Sequence, residues 1–122
     1  MKICFIDTDL GVFVSAKKII DEQMGHVITV RCSSEEYLAD LAESYQLVIL
    51  DVDSPNERDK GVLKNIIAKS KVPIIVLSEI GSGANRLIRA LQLGATDYLF
   101  KPIEDSRLIS VINNQLKVRY IR

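Results

Sequence analysis

The residues most able to do chemistry stand just after short apolar runs. Asp7 and Asp9 follow Lys2 to Ile6, Asp51 and Asp53 follow Leu47 to Leu50, Ser78 follows Val72 to Leu77, and Lys101-Pro102 follows Tyr98 to Phe100. Carboxylates brought close together repel one another, and keeping them ionised requires a cation. The pattern therefore predicts a divalent metal site, with Lys101 as a fixed positive partner. Magnesium suits such a set, because it is a hard ion that takes oxygen ligands and keeps several waters. No glycine-rich phosphate turn follows the first run and no GxGxxG or Walker pattern occurs, which argues against a nucleotide or flavin site. The stretch from Glu79 to Ala84, with Gly81 and Gly83, reads as a connection rather than a phosphate cradle.

These residues share a site only if the elements carrying them are aligned. Five apolar runs rich in Ile and Val are each too short to be helices: Lys2 to Ile6, His26 to Cys32, Leu47 to Leu50, Val72 to Leu77 and Tyr98 to Phe100. They suit strands covered on both faces, as in a parallel sheet. Between them lie stripes at helical spacing. Val12, Ala16, Ile19, Ile20 and Met24 mark the first; Tyr37, Leu38, Leu41 and Tyr45 mark the second, behind a Ser33-x-x-Glu36 capping box. Val62, Leu63, Ile66 and Ile67 mark the third. The fourth carries Leu87, Ile88, Leu91 and Leu93 and is closed by Gly94. The fifth carries Leu108, Ile109, Val111, Ile112 and Leu116, with Asp105 or Ser106 as its cap. Strict β-α alternation predicts right-handed crossovers and an open parallel sheet with helices on both faces. In such sheets ligands bind outside the carboxyl ends of the strands, where all the residues named above would lie.

A chain of 122 residues with 16 basic and 16 acidic side chains fits one domain, 1–122, with 117–122 as a possible linker start. The balanced charge leaves no basic stripe for nucleic acid, so no direct nucleic-acid role is expected. Without a basic n-region or an apolar stretch of spanning length, the chain is expected to be cytoplasmic and away from membranes. Cys4 and Cys32 have no metal or disulfide spacing and are expected to be buried thiols without a role. His26, the only histidine, is expected to open a strand and to be exposed.

In order along nearly the whole chain, the motifs resemble the response-regulator receiver family of two-component signal transduction. Leu47 to Asp51 with Pro55 resembles its phosphoacceptor strand and the loop that follows. Val72-Pro73-Ile74-Ile75-Val76-Leu77-Ser78 resembles its fourth strand and switch hydroxyl, and Gly94-Ala95-Thr96-Asp97-Tyr98-Leu99-Phe100-Lys101-Pro102 resembles the segment with its switch aromatic and lysine. The resemblance implies a flavodoxin-like, doubly wound five-stranded sheet in the order 2-1-3-4-5 with five helices. It implies that Asp51 accepts a phosphoryl group from a histidine kinase or phosphotransfer protein, with Lys101 and Ser78 on the phosphoryl oxygens. Magnesium would be held by Asp7, Asp9, Asp51 and the backbone carbonyl of Asp53. Ser78 and Tyr98 would form the switch, and the surface of the fourth helix, fifth strand and fifth helix would signal to an output domain or protein, with a homodimer as one use of it. The protein would then be a signalling module, not an enzyme acting on a separate substrate.

The chain departs from the family pattern at Asp7-Thr8-Asp9, where two adjacent acids are usual. Aligning the strand puts Thr8 at the direct ligand position, whereas aligning the first helix puts Asp9 there. Glu79 follows the switch serine where a small residue is usual, and the loop from Glu79 to Ala84 is about one residue longer than usual. These departures keep open a pseudo-receiver that binds partners regardless of phosphate.

Overall fold

A computed structural model of the chain describes residues 1–39, 44–53, 62–81 and 84–120. The strands are β1 (Lys2–Ile6), β2 (Ile28–Cys32), β3 (Leu47–Asp51), β4 (Ile74–Glu79) and β5 (Asp97–Lys101). Among the described residues the helices are α1 (Leu10–Gln23), α2 (Ser34–Ala39), α3 (Val62–Lys69), α4 (Ala84–Leu93) and α5 (Asp105–Tyr120). The strands form one parallel sheet in the order β2-β1-β3-β4-β5, so the order reverses between β1 and β3. Two sequence-based expectations, Leu41 in the second helical stripe and Pro55 after β3, lie outside the described residues, as does Gly83.

Alternation along each strand sends successive side chains to opposite faces. Ile3, Phe5, Leu47, Ile49, Ile75 and Leu77 pack against Ala16, Ile19 and Ile20 of α1 and Leu108, Val111 and Ile112 of α5. Cys4, Ile6, Val48, Leu50, Ile74 and Val76 face Val62, Leu63 and Ile66 of α3 and Leu87 and Ala90 of α4, with Tyr37 and Leu38 of α2 alongside. Burial on both faces holds for β1, β3 and most of β4 but not for the sheet edges. Ile28 on β2 and Phe100 on β5 are exposed, because an edge strand is covered less completely than a central one.

The local signals at the helix ends are resolved in detail. The Glu36 amide donates to Ser33 Oγ at 3.0 Å and the Ser33 amide to Glu36 Oε1 at 2.8 Å, which completes the capping box of α2. Gly94 ends α4 at φ +125°, a conformation that side chains disfavour. Helix α5 begins at Asp105, and the Leu108 amide bonds to the Glu104 carbonyl, so the cap falls one residue earlier than the sequence suggests. In α4 Leu87 and Ala90 are buried in the core and Leu93 packs against it, while Ile88 and Leu91 are exposed. His26 is exposed but sits in the turn before β2 rather than in the strand.

The cysteines are not isolated. Parallel pairing sets Cys4 opposite Val30 and Cys32 opposite Ile6, and the two thiols lie 2.8 Å apart across β1 and β2. Contact with Cys32 and burial both push the Cys4 thiol well above its ordinary value, so it is held protonated. A separation of 28 residues concealed this neighbourhood, which only strand register creates.

Candidate functional site

The strand ends open into a cleft of about 580 Å³ lined by Asp7, Thr8, Asp9, Asp51, Asp53 and Lys101, with Arg31, Glu36 and Glu79 at its walls. Asp51 is the last residue of the fully buried strand β3 and is itself almost inaccessible. Lys101, the last residue of β5, reaches across β4 and places Nζ 2.7 Å from Asp51 Oδ2 and 3.2 Å from Asp53 Oδ2. The Asp53 amide donates to Asp51 Oδ1 at 2.8 Å. Burial pushes the Asp51 carboxyl above its ordinary value, against the opposing pull of Lys101 and that amide. Burial also works against the Lys101 charge, but its two carboxylate partners outweigh this and hold the ammonium above the usual lysine value.

Asp53 is the most heavily bonded acid of the cleft. Its Oδ2 accepts from the Glu79 amide at 2.7 Å, and its Oδ1 lies 3.3 Å from Ser78 Oγ and 3.1 Å from an Arg86 guanidinium nitrogen. Burial raises the Asp53 carboxyl, but the Glu79 amide, Arg86 and Lys101 together overcome it and hold the group below the usual carboxylate range. Ser78 is fully buried at the end of β4. Sequence reasoning did not find Arg86. The one available cue is a cation in the first turn of α4, where the helix dipole disfavours it unless an acid is near.

The Asp7-Thr8-Asp9 segment divides into three roles. Asp7 adopts φ +55°, a strained conformation for a residue with a side chain. It accepts from the Ser34 amide through Oδ1 at 3.0 Å, while its buried Oδ2 has no hydrogen-bond partner among the described residues. Thr8 is buried, with Oγ1 3.4 Å from the Ile6 carbonyl. Asp9 is the N-cap of α1, accepting from the Gly11 and Val12 amides at 3.0 and 3.3 Å. Asp7, Thr8 and Asp9 thus all line the cleft, with the Asp9 carboxylate employed at the helix start. Asp9→Ala is expected to cost about 1 kcal/mol through loss of the cap, and Asp9→Ser to recover most of it, as read by urea unfolding.

Tyr98 lies outside this cleft. It is half-buried in a surface groove with Ile80, Phe100, Pro102 and Arg107, its ring edge-on to Phe100 at 5.3 Å and under the Arg107 guanidinium at 5.1 Å. Arg107 is fixed in turn by Asp97 Oδ1 at 3.1 Å and the Tyr98 carbonyl at 3.0 Å. Ile80 joins the two sites, being in the groove and two residues beyond Ser78.

The family model described as the response regulator receiver domain matches residues 3–113. The chain belongs to the response-regulator receiver family. It is 34% identical over 116 residues to the transcriptional regulatory protein CpxR of Klebsiella pneumoniae, covering 95% of this chain and 49% of that protein. It is 32% identical over 120 residues to the probable transcriptional regulator ycf27 of Cyanophora paradoxa, covering 95% and 48%. The chain therefore spans about half the length of the curated relatives it matches. The receiver domain of the Francisella response regulator 1452 superposes with a TM-score of 0.78 at 26% identity, covering 97% of this chain and 98% of that one. This receiver domain has the doubly wound sheet with order 2-1-3-4-5. Among the described residues no helix is long and apolar enough to cross a membrane.

Proposed function

We propose that this receiver domain accepts a phosphoryl group on Asp51 and reports it through the groove around Tyr98. The observation that carries the reading is the buried Asp51 carboxylate with Lys101 Nζ 2.7 Å from one of its oxygens. An Asp51 oxygen attacks the phosphorus of an activated donor, a P–O bond to Asp51 forms, and the bond from phosphorus to the leaving group breaks, with the leaving group keeping its electron pair. The product is an acyl phosphate. Lys101 orients the nucleophile and neutralises charge on the phosphoryl oxygens, and the Ser78 hydroxyl, released from its present acceptors Asp53 and the Glu79 carbonyl, donates to one of them.

Magnesium fits the donor set of the cleft with fewer charges than the sequence suggests. Asp7 has a buried carboxylate oxygen without a hydrogen-bond partner among the described residues, and Asp51 lines the same cleft. Asp9 serves the helix cap, the Asp53 carboxylate is held by cations, and no group of three or more His, Cys, Asp or Glu side chains suited to a metal occurs among the described residues. Asp7, Asp51 and the Asp53 backbone carbonyl would hold the ion, with waters completing its shell. When bound, it would offset the negative charge gathered around the phosphoryl oxygens.

Donation of the Ser78 hydroxyl to a phosphoryl oxygen moves the start of the loop after β4, and Ile80 carries that movement to Tyr98. The surface of α4, β5 and α5, with Ile88, Leu91 and Phe100 exposed, then presents a changed shape to a downstream output domain or protein, or to a second copy. The donor would be a histidine kinase or a phosphotransfer protein. The test is intact mass after incubation with magnesium and acetyl phosphate. A gain of one phosphoryl group that needs the metal and is absent from Asp51→Asn is the expected result. No gain under any donor or metal condition would replace this reading with a phosphate-independent interaction module.

A further inference from the structure

The largely buried Asp53 carboxylate makes four polar contacts. It meets the Ser78 hydroxyl, the Glu79 amide, the Lys101 ammonium and the Arg86 guanidinium, at 3.3, 2.7, 3.2 and 3.1 Å. Two cations, a hydroxyl and a backbone amide converging on one point form a donor set for a tetrahedral oxyanion. Beside it, Arg86 Nε is buried and has no acceptor among the described residues, which leaves a further N–H there.

We propose that Asp53 is a tethered anion that fills, in the unphosphorylated chain, the seat that a phosphoryl group on Asp51 must take. This rests on the reading of Asp51 as phosphoacceptor. The exclusion is stoichiometric. A backbone amide has one proton, and that of Glu79 is given to Asp53 Oδ2; the Ser78 hydroxyl also has one, with Asp53 Oδ1 at 3.3 Å and the Glu79 carbonyl at 3.2 Å as its acceptors. Neither donor serves Asp53 and a phosphoryl oxygen at the same time. Charge acts in the same direction, since a phosphoryl group on Asp51 would bring negative charge against a carboxylate two residues away.

The consequence is twofold. Phosphorylation must first displace Asp53, which slows it, and Glu79 at the end of β4 is held in place before any phosphoryl group arrives. Asp53 therefore sets both the rate of loading and the contrast between the two states. Arg86 extends this to the signalling surface, because it ties the first turn of α4 to the same carboxylate.

The test compares the wild-type chain with Asp53→Ala and with the isosteric Asp53→Asn, which removes the charge and keeps the shape. Amide exchange and chemical shift at Glu79 are followed by NMR, without metal or donor, during titration with inorganic phosphate. Rates of mass gain from acetyl phosphate with magnesium are measured in parallel. In both variants the Glu79 amide is expected to exchange at least about tenfold faster than in wild type, the size of one charge-assisted hydrogen bond. In Asp53→Ala the Glu79 resonance is expected to titrate with inorganic phosphate where that of wild type does not, and mass gain is expected to be at least about tenfold faster. Unchanged Glu79 exchange in both variants, or equal rates of mass gain in a wild type and variants that all take phosphoryl groups, overturns the proposal. If no chain gains mass but Glu79 is released and phosphate titrates in Asp53→Ala, the filled seat is supported and it is the reading of Asp51 that falls.

Discussion

Replacing Lys101 by Met is expected to lower stability at neutral pH by about 3 kcal/mol and to slow phosphoryl incorporation by about a hundredfold or more. The stability loss follows from what the lysine leaves behind. Asp51 is nearly inaccessible, and Lys101 is the cation within ion-pair distance of it among the described residues. Removing one partner of a buried pair strands the other charge, which costs more than the pair contributes. Asp53 suffers less, because it keeps Arg86. Burial already raises the Asp51 carboxyl, so its ionised form weighs against folding, and that penalty is relieved as pH falls through the folded-state value. The Lys101→Met variant is therefore expected to regain stability on going from about pH 8 to about pH 5, since loss of the lysine lifts the Asp51 carboxyl further. The double variant with Asp51→Asn is expected to recover most of the loss at neutral pH, because no stranded charge is left. Urea unfolding at the two pH values checks both statements. A single variant as stable as wild type at neutral pH would mean that the pair contributes nothing to the fold.

Thr8→Asp is expected to make the stability of the fold depend on magnesium. Thr8 is buried and lines the cleft with Asp7 and Asp51, and a carboxylate there would join the acids already present without a cation of its own. With the metal chelated, the variant is expected to lose about 3 kcal/mol, the scale for an uncompensated buried charge. Added charge on an oxygen-ligated site tightens metal binding, here by about one order of magnitude or more. At a concentration of about one hundred times the new dissociation constant, binding returns about 2.7 kcal/mol, which nearly cancels the loss. Thermal unfolding with chelator and with magnesium measures the difference, and wild type is expected to respond less. A Thr8→Asp variant indifferent to magnesium would exclude this position from the metal site.

Both outcomes depend on the same division between what was legible in the chain and what was not. Element types and their order were legible because they rest on local periodicity. Short Ile- and Val-rich runs alternating with stripes at helical spacing have one common solution, and Ser33 and Glu36 specify a helix start within four residues. The gathering of Asp51, Ser78 and Lys101 was legible for the same reason, since each stands at or one residue before the end of a strand in a parallel sheet and parallel strand ends share an edge.

The interior arrangement of the cleft was decided only by tertiary structure. That the Asp9 carboxylate is taken up in capping α1, although the residue lines the cleft, turns on where the helix begins relative to the strand, a matter of a single residue that spacing leaves open. The grip of Arg86 on Asp53, like the contact of Cys4 with Cys32, joins groups 33 and 28 residues apart. Neither has a local signature, because strand register and helix placement create them. Sequence by itself determined which residues reach the edge of the sheet, through patterns that act over a few residues. Tertiary structure decided which partners each charge finds there, because electrostatic contacts depend on distances of a few ångströms between elements that local patterns do not constrain.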